Sequence, residues 1–219
     1  MFKNYLINEV FVYFRAILNL IALKPKKKME NNTFVAKDVT ANPGPLGLVG
    51  FGLATMLLNL HNAGLFALDT MILAMGLMMG GTVQIIVGIM EWKKNNLFGT
   101  MAFTSYGAFW ISLVFLLVLP KLGLGTASTP VAMGYYLSIW GIYSFGLFVA
   151  TLKMNKAMIW LFGTVVVLFA LLAIANFTGS HLVHTMAGIE GVICGASALY
   201  IALAQLYQEV YKKSLLPLG

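Results

Sequence analysis

Ala157–Phe177 reads AMIWLFGTVVVLFALLAIANF, an apolar run without one charged side chain. A helix rises 1.5 Å per residue, so roughly 20 such residues cross a hydrocarbon core of about 30 Å. A membrane strand would be shorter and would alternate between two faces, and this run does neither. Five further stretches of comparable length and polarity lie outward from it: Leu46–Leu65, Thr70–Trp92, Phe98–Leu119, Pro130–Leu152 and Leu182–Tyr207. Pro45 falls where a first-turn proline is tolerated, because its missing N–H is one the helix leaves unpaired anyway. Pro120 and Gly123 close the third stretch. The expected fold is an all-α integral membrane protein, a bundle of six transmembrane helices.

The composition points the same way. Hydrophobic residues make up 60% of the 219 and charged ones only 10%, with a mean hydropathy of +0.87. A soluble domain of this size carries about a quarter charged residues to dress its surface for water. The formal net charge of +7 does not form a basic face with interleaved aromatics, so nucleic-acid binding is excluded as a reading. The basic residues fall instead in short clusters: Lys24 and Lys26–Lys28, Lys93 and Lys94, Lys153 and Lys156, Lys212 and Lys213. Loops on the opposite side hold only Lys121. By the positive-inside rule the lysine-rich side is cytoplasmic, which puts both termini there and the protein in the cytoplasmic membrane. Trp92, Trp160 and Tyr207 near span ends fit the interfacial aromatic belt.

Three segments follow from this pattern. Residues 41–211 form the six-helix transmembrane domain, and residues 212–219 a short cytoplasmic tail. Residues 1–40 stand apart. Phe2–Leu23 is apolar but carries Lys3, Glu9 and Arg15, charges that make a seventh span costly. The segment reads either as an interfacial helix or as an over-extended reading frame with Met29 as the working start. The lone cysteine, Cys194, excludes an intramolecular disulfide and reads as a small buried hydrophobe.

Polar groups inside the spans are the candidates for function, because an unsatisfied one is expensive in lipid. Asn59, His61 and Asn62 close the first span, and Gln84 lies mid-way along the second. Thr104, Ser105 and Tyr106 cluster in the third, Asn176 ends the fifth, and His184 and Glu190 lie in the sixth. Glu190 has no lysine or arginine deep in any span to pair with it. It is a proton-linked candidate, or it lines a wet vestibule, or it bonds a neighbouring helix. His184 is either a second proton-linked group or an interfacial, hydrogen-bonded histidine. Glu91, beside Trp92 and Lys93 at a span end, is expected to be solvated or ion-paired. Glycines at helical spacing, such as Gly188, Gly191 and Gly195, let membrane helices approach closely. No metal-ligand spacing, nucleophile elbow or phosphate loop is present. The chain therefore reads as a lined path, with no catalytic residue, no metal site and no cofactor.

One string is more specific. Asn42–Leu48 reads NPGPLGL, and after Val49 the sequence continues GFGLATMLLNLHNAG. This resembles the NPAPLGL signature of the succinate–acetate permease family, the SatP or YaaH-like acetate transporters. The similarity continues through GGTVQIIVGIME (Gly80–Glu91), FGTMAFTSYGAFW (Phe98–Trp110), LFALLAI (Leu168–Ile174) and ICGASALY (Ile193–Tyr200). It covers roughly residues 41–211, in order.

The resemblance implies a homohexamer of six-helix subunits, with a pore in each subunit. It implies transport of acetate, in some members succinate, either proton-coupled or channel-like. A hydrophobic constriction in that family is built from a Phe, a Tyr and a Leu, which fall here on Phe51, Tyr106 and Val165. Val165 is a departure, as is Gly44 where the family usually has Ala, and Glu190 is a third. Asn42, Asn62, Gln84, Thr104 and Ser105 are the substrate-binding candidates, since neutral donors replace part of a carboxylate's hydration without trapping it by full charge. The expected partners are acetate or other small carboxylates, protons, membrane lipid and further copies of the chain. Two alternatives stay open: a channel for another small solute such as formate, ammonia or urea, and a non-transporting membrane scaffold.

Overall fold

The computed structural model describes residues 40–219. Apart from position 40, the N-terminal segment read above as an interfacial helix or an over-extended frame lies outside the described residues. Six helices in the described residues are long and apolar enough to cross a membrane. They are α1 (Gly44–Asn62), α2 (Thr70–Lys93), α3 (Leu97–Leu122), α4 (Pro130–Thr151), α5 (Lys156–Thr178) and α6 (His181–Tyr211).

Each helix begins where a polar side chain satisfies an orphan N–H. Asn42 Oδ1 accepts from Gly44 N–H at 3.0 Å as the chain enters α1. Asp69 caps α2, Asn96 caps α3, Thr129 caps α4, Asn155 caps α5 and Ser180 caps α6, each accepting from a first-turn amide. In lipid such caps matter more than in water, because no solvent replaces the missing partner. Gly123 (φ 73°) and Gly179 (φ 64°) end the third and fifth spans in the left-handed region that glycine adopts without a Cβ penalty.

Span ends agree with the sequence reading to within a few residues, and two features go beyond it. Helix α2 is not uniform: Gly76–Val83 winds as a π-helix, where Thr82 Oγ1 donates to Leu77 O five residues back at 3.1 Å. Helix α6 runs four residues past the expected Tyr207, to Tyr211. At 1.5 Å per residue it is longer than a hydrocarbon core is thick, so one end projects beyond it.

The helices form a ring. α1 packs on α6 and on α2, α2 on α3, α4 on α5, and α5 on α6. The α1–α6 seam is the tightest, and glycines make it possible. A Cβ on Gly188 would collide with the backbone at Ala63, and one on Gly191 with the Asn59 side chain. A Cβ on Gly195 would lie 2.7 Å from Gly52 O. Between α3 and α4 the contacts are made instead by large aromatic side chains. Phe109 stacks on Tyr136 with centroids 5.9 Å apart and meets Trp140 at 5.2 Å. The outward faces carry apolar side chains such as Ile139, Ile142 and Ile189, as a lipid-facing surface requires. The pattern of exposure is that of a multi-pass membrane protein.

Candidate functional site

Two cavities lie inside the ring. The first, of about 160 Å³, lies towards the end that carries Lys93, Lys94, Lys153, Lys156, Lys212 and Lys213, and its wall includes Asn42, Gln84, Glu91, Phe162 and Gln205. The second, of about 260 Å³, lies towards the opposite end, with Thr55, Asn59, Asn62, Trp110, Asn176 and His184 in its wall. Either holds several waters, each of which takes about 30 Å³ in the liquid, and so either is large enough for a small carboxylate.

Three residues are common to the two walls: Phe51, Tyr106 and Val165. They come from α1, α3 and α5 and form an apolar collar between the cavities. Phe51 and Tyr106 lie with ring centroids 5.8 Å apart, and Tyr106 meets Phe162 at 6.3 Å. The Tyr106 hydroxyl donates to Ser144 Oγ at 2.9 Å, reaching across to α4. Both residues are buried, so this bond fixes the ring across the axis of the bundle.

The polar candidates divide by helix face. Gln84 is 0% exposed and lines the first cavity, and neither its amide nitrogen nor its amide oxygen has a hydrogen-bond partner among the described residues. It stands one residue beyond the π-segment, whose extra backbone per turn resets the angle at which α2 presents it. A π-turn inside an α-helix frequently marks a functional site. Asn42 lies at the mouth of the same cavity. Asn62 lines the second, where its Nδ2 donates to Asn59 Oδ1 at 2.9 Å, and His184 Nδ1 bonds its carbonyl at 3.2 Å.

Thr104, Ser105 and Glu190 line neither cavity. With about 100° of rotation per residue, a helix that aims Tyr106 inward turns its two predecessors away. Thr104 packs on Gly88 of α2, and Ser105 Oγ donates back to Met101 O at 2.6 Å. Glu190 lies one turn before Cys194 on α6, and both its carboxyl oxygens are buried with no hydrogen-bond partner among the described residues. Cys194 is free and fully buried.

Against known proteins, the profile of the GPR1/FUN34/yaaH family matches residues 25–216. The chain belongs to the GPR1/FUN34/yaaH family. Within that family it is 50% identical over 179 residues to the succinate-acetate/proton symporter SatP of Escherichia coli strain K12, covering 82% of this chain and 95% of that one. Ammonia transport outward protein 2 of Saccharomyces cerevisiae is 38% identical over 172 residues, covering 75% of this chain and 61% of that one. The solved structure of the bacterial acetate channel SatP superposes with a TM-score of 0.81 at 50% identity, covering 82% of this chain and 99% of that one.

The sequence reading missed several residues of the site. Thr55 and Trp110 line the second cavity, and their Oγ1 and Nε1 are buried with no hydrogen-bond partner among the described residues. Glu91 corrects an expectation. It does not lie on the surface: it is 3% exposed and lines the first cavity, its Oε2 accepts from Asn96 Nδ2 at 2.7 Å, and it has no ion-pair partner among the described residues. The adjacent lysines suggested a surface position. The better signal was Asn96 five residues on, followed by Gly99, whose absent Cβ would have met the Glu91 carboxyl carbon at 2.9 Å.

Proposed function

We propose that this chain moves acetate, and succinate as a second carboxylate, across the cytoplasmic membrane along the two cavities and through the collar. The observation that carries the reading is that Phe51, Tyr106 and Val165 belong to both cavity walls, so a solute passing between the cavities passes them. A carboxylate cannot cross hydrocarbon without losing hydration worth several kcal/mol or more. Gln84 on one side of the collar, with Thr55 and Trp110 on the other, replaces part of that hydration with donors that no other group among the described residues occupies. The collar itself resists hydrated ions by dewetting, while an acetate methyl tolerates it. The names of the two SatP relatives support acetate as the substrate. In this reading the protein is a transporter and performs no catalysis. Both termini lie in the cytoplasm, and six copies assemble, each with its own path.

Uptake of labelled acetate into proteoliposomes holding the purified chain tests this. Saturable uptake suppressed by excess unlabelled acetate is expected, and uptake no faster than in empty liposomes rejects it. Accumulation under an imposed pH gradient marks proton coupling, whereas equilibration alone marks a channel. A second reading is favoured by the yeast relative named for ammonia transport, since a small neutral solute also suits an apolar collar. Flux of ammonia without flux of acetate selects it, and formate and urea are decided in the same assay. Absence of flux for every solute leaves a scaffold.

A further inference from the structure

Glu91 is held in the wall of the first cavity with unusual care for a carboxyl. Asn96 donates to its Oε2, Gly99 leaves room for its carboxyl carbon, and its Oε1 faces the start of α1 at Gly44. A Cβ on Gly44 would lie 3.2 Å from that oxygen. Glycine therefore keeps the mouth open beside the carboxyl.

Among the described residues, the groups that share this wall with it are neutral. Asn42 approaches from the start of α1, Gln205 from α6, and Phe98 and Met158 from α3 and α5. Among the described residues, Glu91 and the collar's Tyr106 are the titratable members of this wall, which includes no described lysine, arginine or histidine. Lys94, three residues along, donates to Thr40 O. Neither it nor Lys93 nor the exposed Glu209 lines the cavity.

A transported carboxylate in this cavity meets a second carboxylate, with no cation among the described residues of the wall to compensate. Two such groups at short range do not both stay ionised and instead share one proton. The next step of the path is the apolar collar, which a neutral acid crosses far more readily than an anion.

We propose that Glu91 exchanges a proton with the transported carboxylate in the first cavity, so that the substrate crosses the collar as the neutral acid. This rests on the transport reading above and adds to it the group that carries the proton. For passage towards the collar, the Glu91 O–H bond breaks as an O–H bond forms on the substrate. The Glu91 carboxylate, held by the Asn96 amide, then takes a proton from hydronium in the solvent at the mouth, leaving water. For passage the other way, the acid leaves the collar and gives its proton to the Glu91 carboxylate, which releases it to the same water.

Labelled-acetate uptake by the full chain in proteoliposomes, measured over a series of imposed pH gradients, tests the proposal with Glu91→Gln and Glu91→Asp. Glutamine keeps an acceptor for Asn96 but carries no exchangeable carboxyl proton. Gradient-driven accumulation is expected to fall about tenfold in Glu91→Gln, with the remaining flux independent of pH. In Glu91→Asp, pH dependence is expected to persist at a lower rate, with the profile displaced from the native one. A Glu91→Gln protein whose pH profile matches the native one overturns the proposal. If Glu91→Gln does not assemble, Glu91→Asp decides, and a profile superimposable on the native one overturns it. Native protein inert towards acetate at every gradient rejects the transport reading itself, which is a different failure from an active native protein with an indifferent Glu91→Gln.

Discussion

At the scale of single residues, the collar makes the sharpest demands. Tyr106 spends its hydroxyl on Ser144, and both are buried. Tyr106→Phe leaves the Ser144 hydroxyl without that partner, at a cost of about 1–3 kcal/mol. The expected result is a lower unfolding midpoint in detergent, with Ser144→Ala adding little on top of it. Val165 is 2% exposed and presents one methylene less to the collar than leucine. Val165→Leu is expected to narrow the collar and favour acetate over lactate relative to the native chain, read as competitive uptake of the two; unchanged selectivity removes this role. Residue-scale features were only partly legible in the sequence. Gln84 stood out as an amide in the middle of an apolar run. Glu91 did not, because hydropathy and the neighbouring lysines describe its place along the chain and not the direction in which α2 points it. Thr104 and Ser105 attracted notice for their polarity, yet a polar side chain on a membrane helix satisfies itself against its own backbone as readily as it lines a path.

Helices were more legible. Six apolar runs of spanning length admit few alternatives in a bilayer, where every backbone group needs an internal partner. Pro45 marked the start of the first span, Pro120 and Gly123 the end of the third, and Pro130 the start of the fourth. The π-segment of α2 was not legible, because its i→i+5 bonding leaves no mark in hydropathy and its glycines read equally as packing positions. Two glycines separate packing from tolerance. Gly188→Ala drives a Cβ into the α1 backbone at Ala63, which cannot give way, and is expected to destabilise the protein by about 1–3 kcal/mol. Gly146 has nothing within 4 Å of its absent Cβ, and Gly146→Ala is expected to leave the unfolding midpoint unchanged or to raise it slightly. Thermal unfolding of the two variants in one detergent checks the pair.

For the whole molecule, the ring of helices accounts for both the interior path and the apolar exterior. The proposed orientation follows from the lysines, and the buried Cys194, the chain's single cysteine, makes it easy to measure. In intact cells a membrane-impermeant maleimide is expected to label Leu124→Cys and not Ser214→Cys; the reverse pattern inverts the topology. Native mass spectrometry of the detergent-solubilised protein is expected to give six copies.

The central claim is that the junction of Phe51, Tyr106 and Val165 is the narrowest point of a through path for acetate. Labelled-acetate uptake by Val165→Trp, on protein that elutes at the native position, tests it most directly, with Ile189→Trp, on the outward face and in neither cavity wall, as the control. Uptake is expected to fall about tenfold or more in Val165→Trp and to stay near the native rate in Ile189→Trp. Native-rate uptake through Val165→Trp would contradict the account.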